Sequence, residues 1–258
     1  MRYYVCQPPS NNRGVFMHKP VLGIIGGVGP LATAYFMQLL IQKTEAHTDQ
    51  ENMPMIVFND PQIPDRTSYI LDNAEPDPLP ELVKVAQWLQ NAGADFLAIP
   101  CNTAHYFYDS ISESVSIPLV NILQETADVI AKKTNKHATV GLMATRGTIA
   151  SNLYQGYFAQ LGMDVKIPTE AEQDLLMGLI YDCVKANRPY DENVLLNIAH
   201  NMHDKGCDTV IIGCTELSVI YQNLAQKPAW LIDALDVLAE TCCMIYKLAR
   251  DEDNACDM

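Results

Sequence analysis

Basic residues are scarce. Lys and Arg total 17 against 31 Asp and Glu, a net charge of −14. Such a surface repels phosphate backbones, which argues against a nucleic-acid partner. A polybasic contact with a membrane is disfavoured on the same ground. Long apolar runs are also missing, and none approaches the roughly 18 residues that a membrane span requires. Residues 1–18 contain no apolar stretch of signal-peptide length, and their Pro, Asn and Gly content reads as a mobile extension ending near His18. The chain is therefore expected to be cytoplasmic, with its eight cysteines held as reduced thiols. There is no CxxC pair, and the adjacent Cys242–Cys243 is poor ligand spacing, so no structural zinc site is expected.

What is present is core-forming material. Hydrophobic residues make up 48% and charged residues 19% of 258 residues, which excludes intrinsic disorder. The length suits one large domain or two similar lobes. Short apolar runs alternate with helical patterns. Strands are expected at 21–26, 55–58, 96–100, 119–122, 139–143, 209–212 and 230–232. Helices are expected over 30–46, 80–92, 125–133, 151–161, 171–186, 192–205 and 234–249. That alternation predicts an α/β fold with parallel sheets covered on both faces.

An internal repeat is the most informative feature. Gly93-Ala-Asp95-Phe-Leu-Ala-Ile-Pro-Cys101-Asn-Thr103 overlays Gly206-Cys-Asp208-Thr-Val-Ile-Ile-Gly-Cys214-Thr-Glu216. In both segments glycine precedes the cysteine by eight residues and aspartate by six. Upstream, Leu22-Gly23-Ile-Ile-Gly-Gly matches Val140-Gly141-Leu-Met-Ala-Thr145. Two like lobes related by a pseudo-two-fold axis follow: 19–122 plus about 230–258, and 123–229. Open α/β sheets bind ligands beyond the carboxyl ends of their strands, so Cys101 and Cys214 would face each other across one cleft.

Two facing thiols can invert a carbon. A thiolate removes a proton from one face and the opposite thiol delivers one to the other. A thiol pKa of about 8.5 lies within tuning range of neutrality. A strand-to-helix turn lowers it further and favours a carboxylate through its N–H groups and dipole. The ordinary fate of a free cysteine is a small buried hydrophobe, the reading that suits Cys183, Cys207, Cys242 and Cys243. For Cys101 and Cys214 the repeated spacing favours chemistry.

Four motifs extend this reading: Gly26-Gly-Val-Gly-Pro30-Leu-Ala-Thr33, Asn59-Asp-Pro-Gln-Ile-Pro-Asp-Arg66-Thr67, Pro100-Cys-Asn-Thr-Ala-His105 and Gly213-Cys-Thr-Glu216. Together they resemble the aspartate/glutamate racemase family, over about residues 19–250, and its aspartate racemases most. The resemblance implies a two-cysteine acid/base mechanism with no pyridoxal phosphate or metal, an aspartate or glutamate substrate, and a homodimer. It also implies that Arg66 and Lys185 bind the side-chain carboxylate. Asn102, Thr103 and Thr215 would then hold the α-carboxylate, with Thr145 and Thr148 as further candidates. Taken alone, Arg66 could be a loop arginine paired with Asp65, and Lys185 a favourable charge at a helix C-terminus. His105 could lower the Cys101 pKa or serve structurally. Glu216 reads as a helix-start acid near the site rather than a base.

Other readings compete. Gly27-Val-Gly29-Pro-Leu-Ala32 fits a dinucleotide fingerprint, but the acidic residue due about 20 positions on does not close the second strand, and the cysteine repeat is left unexplained. Glutamate racemase, hydantoin racemase and maleate isomerase activities are alternatives within the superfamily. A non-catalytic amino-acid-binding protein would have no need for two thiols.

Overall fold

The computed structural model describes residues 19–135 and 137–256. The extension expected over 1–18 lies outside the described residues. In chain order the first half runs β1 (Leu22–Gly26), α1 (Pro30–Lys43), β2 (Met55–Asn59), α2 (Arg66–Leu71), α3 (Leu79–Asn91), β3 (Phe96–Ala98), α4 (Tyr108–Glu113), β4 (Leu119–Val120) and α5 (Ile122–Lys133). The second half runs β5 (Thr139–Met143), α6 (Arg146–Ala150), α7 (Leu153–Gln160), β6 (Asp164–Lys166), α8 (Glu170–Met177), α9 (Glu192–Asp204), β7 (Thr209–Ile212), α10 (Thr215–Tyr221), β8 (Leu231–Asp233) and α11 (Ala234–Cys256).

The strands form two four-stranded parallel sheets of the same order, β2-β1-β3-β4 and β6-β5-β7-β8. β1 and β7 are buried at every residue, as central strands covered on both faces must be. β6 escapes sequence reading because it is a polar edge. Asp164 and Lys166 are exposed, a charge pattern that blunts an open sheet edge.

The repeated Gly-x-Asp now has a physical meaning. Gly93 and Gly206 take φ of 99° and 91° just after α3 and α9, where a side chain would be strained. Asp95 and Asp208 then latch the start of each lobe's first strand. The Val21 and Thr139 N–H groups donate to their carboxylates at 2.7 Å, and the aspartate N–H groups donate back to the Val21 and Thr139 carbonyls at 2.8 Å.

One expected boundary is corrected. The repeat places residues from about 230 in the first lobe, but β8 pairs with β7, Leu231 opposite Val210, and completes the second sheet. Only α11 returns, packing on α1 and α5. A continuous apolar core therefore runs through both lobes, from Leu22, Ile24 and Phe36 to Val140, Ile211 and Leu238. A second cluster under α3 and α4 fills the other face of the first sheet.

Candidate active site

In both sheets the chain leaves the first strand towards one edge and returns for the third on the other side. The crevice at this switch, between β1 and β3 and between β5 and β7, is where such sheets hold ligands. Cys101 lies three residues beyond β3 and Cys214 is the N-cap of α10, directly after β7. Both are almost fully buried, at 6% and 4% exposure, and both line the same cleft between the lobes. The cleft is narrow and is lined by polar side chains of both lobes.

Each cysteine is braced by the residue four positions on. The Ile122 N–H donates to His105 Nε2 at 3.2 Å, which leaves the proton on Nδ1 to donate to the Cys101 carbonyl at 2.8 Å. Burial lowers the His105 pKa to about 4, so this ring is a neutral brace and supplies no charge to Cys101. In the other lobe Ser218 Oγ donates to the Cys214 carbonyl at 3.4 Å and to Asp233 Oδ1 at 2.6 Å. Asp233 ends β8 as Asn121 follows β4, and each side chain accepts from the N–H two residues on, at the start of α11 and α5.

The two thiols differ. Cys214 Sγ donates to Glu216 Oε2 at 3.1 Å. Burial, the Glu216 charge and this hydrogen bond push the Cys214 thiol well above its ordinary value, despite the opposing pull of Lys185. A helix start lowers a thiol pKa, and here burial and the adjacent carboxylate outweigh that effect. Cys101 precedes a 3₁₀ turn, Thr103–Phe107, rather than an α-helix.

The remaining predicted residues also converge on the cleft. Thr103 of the first lobe meets Thr145 and Thr148 of the second in a triangle of hydroxyls, with Oγ1 separations of 3.0, 2.8 and 3.1 Å. Thr148 touches the cleft only through its partners, while Thr103 and Thr145 line it. Asn102 Oδ1 accepts from Tyr154 at 2.7 Å, leaving Asn102 Nδ2 buried without a partner. Thr215 Oγ1, Glu216 Oε1 and Arg66 Nε are likewise buried and unpartnered. Native interiors pair nearly all such atoms, so four orphans on the residues of one cleft mark a place built for a ligand.

Arg66 opens α2 and is 6% exposed, with Nη1 donating to the Ile63 and Pro64 carbonyls at 3.2 and 2.9 Å. It is not a solvated partner of Asp65. Asp65 instead accepts from Lys185 at 3.2 Å and from Tyr181 at 3.1 Å, across the lobe boundary. Burial works against the Asp65 charge, but Lys185, the Ser68 N–H and Arg66 outweigh it and hold the pKa below the usual value. Burial also opposes the Lys185 charge, yet Glu216, Tyr181 and Asp65 raise its pKa. Lys185 does not end the single helix expected over 171–186. After α8 the backbone widens into a π-helical segment, Gly178–Val184, and the Lys185 N–H donates to the Ile180 carbonyl at 3.0 Å. Single π turns of this kind occur often at functional sites, and here one brings Tyr181 and Lys185 to the cleft. Asp65, Thr67, Tyr181 and Val28 also line the cleft and were not singled out from sequence.

Residues 25–242 match the Asp/Glu/Hydantoin racemase family. The chain belongs to that family. It is 27% identical over 230 residues to the broad specificity amino-acid racemase RacX of Bacillus subtilis, covering 88% of this chain and 98% of that one. It is 30% identical over 147 residues to a glutamate racemase of a Sulfurihydrogenibium species, covering 55% of this chain and 54% of that one. Among solved structures, Picrophilus torridus aspartate racemase superposes with a TM-score of 0.75 at 28% identity, over 91% of this chain and 99% of that one.

Proposed function

We propose that this racemase interconverts L- and D-aspartate by proton transfer between two thiols, with no cofactor. The observation that carries the reading is that both repeated cysteines line one small cleft with four orphaned buried polar atoms. One thiolate takes the Cα proton, and the opposite thiol returns a proton to the other face. Proton transfer by a positioned group contributes about 10²- to 10⁴-fold. Arg66 and Lys185 hold the side-chain carboxylate. Asn102 Nδ2, Thr215 Oγ1 and the threonine triangle hold the α-carboxylate, whose negative charge next to Cα eases deprotonation once it is paired with donors.

Aspartate is favoured over glutamate by the likeness to the Picrophilus aspartate racemase, which at 28% identity aligns over 91% of this chain and 99% of that one.

Loss of optical rotation and deuterium entry at Cα, followed with both enantiomers of aspartate and glutamate in the presence of EDTA, test the reading. Cys101→Ser and Cys214→Ser should each lower racemisation by about 10²-fold or more and leave the circular dichroism spectrum unchanged, because serine is far too weak an acid to act as the base. Each variant should still exchange the α-proton of one enantiomer. Wild-type racemisation in both variants, or a requirement for pyridoxal phosphate or metal, would overturn the proposal.

A further inference from the structure

We propose that Glu216 holds the thiol proton of Cys214 and so makes the two cysteines unequal, with Cys214 resting as the proton donor. This rests on the two-thiol reading above and adds a positioning residue to it.

The lobes themselves supply the comparison. Glu216 stands two residues after Cys214, as Thr103 stands two after Cys101. Each crosses to the loop that follows the first strand of the other lobe. Thr103 reaches the Thr145 and Thr148 hydroxyls, and the partnership is neutral. Glu216 reaches Gly29, where any Cβ would collide with Oε1. The carboxylate is 5% exposed, with Oε1 unpartnered and Oε2 accepting from Cys214 Sγ at 3.1 Å. A carboxylate buried in this way has one donor in hand, and that donor is the thiol.

The charged and titratable groups facing this pair are few. Lys185 and Tyr181 approach from the π-helical segment, and Asp65 and Arg66 from the start of α2. Ser218 and Asp233 lie behind on α10 and β8. The Glu216 backbone N–H and Lys185 favour a thiolate at Cys214, but Lys185 is paired with Asp65. Beside Cys101 the corresponding side chains are Thr103 and the neutral His105, and neither is an anion.

The proton count is closed. In the direction in which Cys101 is the base, its thiolate takes the Cα proton of the enantiomer that presents it, and the Cys214 thiol protonates the opposite face. The enzyme is left with Cys101 as thiol and Cys214 as thiolate beside a carboxylate. That form is the disfavoured one, and it returns to the resting form by the reverse reaction or by proton exchange with water. Enantiomers have equal free energy, so kcat/KM is equal in both directions. The inequality appears in the pH at which each thiol works alone.

The test uses the single-thiol variants. In Cys214→Ser, exchange of the α-proton of its enantiomer by Cys101 gives the reference midpoint. In Cys101→Ser, exchange of the other enantiomer by Cys214 should need a higher pH. Adding Glu216→Gln to Cys101→Ser should lower that midpoint by about one pH unit or more, the size of a like-charge effect at contact distance. Glu216→Asp keeps the charge and should hold the midpoint above that of Glu216→Gln. Thiolate ultraviolet absorbance, taken as the difference from a Cys101→Ser/Cys214→Ser double variant, reads Cys214 without substrate. Equal midpoints for the two thiols, or an absorbance midpoint unmoved by Glu216→Gln, would overturn this proposal. Racemisation by both single serine variants would instead overturn the two-thiol reading.

Discussion

A carboxylate entering the cleft must compete with Asp65 for Lys185, while Arg66 is already fixed by the Ile63 and Pro64 carbonyls. The two cations should therefore contribute differently. Arg66 offers a planar fork that needs no rearrangement, and lysine cannot replace it. A charge-assisted hydrogen bond in a partly dry site is worth on the order of 1.5–3 kcal/mol, or roughly 10- to 150-fold. Arg66→Lys should lower kcat/KM for aspartate towards the top of that range, and Lys185→Ala towards the bottom, because part of its strength is spent on Asp65. Exchange of the alanine α-proton should change little in either variant, and Cα deuterium uptake read by NMR measures both substrates. At this scale much of the site was legible. Cys101 and Cys214 were marked by their repeat, and Arg66 and Lys185 by the resemblance to the racemase family. Tyr181 and Asp65 were not, because nothing in either local sequence records that the lobes bring residues 116 positions apart into contact.

Two braces behind the cysteines oppose each other in pH. His105 has its pKa lowered to about 4 by burial, against an unfolded value near 6.5. Between those values the unfolded chain binds the extra proton, so this group stabilises the fold fully above pH 6.5 and loses that effect as pH falls. Asp233 is raised by burial to about 7, with the Ser218 and Leu235 hydrogen bonds opposing, against an unfolded value near 3.9. Its contribution is fully present below pH 3.9 and is lost as pH rises towards 7. Between pH 4 and 6.5 the two slopes cancel. In Asp233→Asn the slope should be steeper than in wild type by about 1.4 kcal/mol per pH unit, stability rising with pH. Urea unfolding at several pH values measures the difference, and an unchanged slope would show that Asp233 is ionised in the fold. Element boundaries were legible where burial writes them. β5 and β7 fall where their apolar runs predict. The polar β6 and the short α2, α6 and α10 lack periodicity, and the π-helical segment carries no signal that separates it from an ordinary amphipathic helix.

Seen as one molecule, the lobes share a core yet meet at the site through polar groups: the threonine triangle, the Asp65–Lys185–Tyr181 cluster and Glu216 against Gly29. A substrate spanning the cleft adds bonds to both lobes at once. Aspartate at about 100 times its Kd should raise stability by about 2.7 kcal/mol, visible as a higher Tm, and alanine at the same concentration should not. Thermal unfolding with each amino acid measures this. Loss of the aspartate shift in Arg66→Lys would link it to the cleft. The two-lobed plan was readable from the repeat. The place of residues 231–233 was not, because a three-residue strand can complete either sheet and only its pairing with β7 decides.

The shared strand order has a consequence for handedness. A half-turn about the axis relating the lobes exchanges Cys101 with Cys214, and with them the two faces of the bound carbon. To the backbone, an L-amino acid and its mirror image pose the same problem. Whatever chirality the resting enzyme shows therefore resides where the lobes differ: Thr103 with Glu216, His105 with Ser218, Asn121 with Asp233, and the cations Arg66 and Lys185, the latter at the end of the π-helical segment. Left and right are written into these departures, on a strand order that is neutral between them.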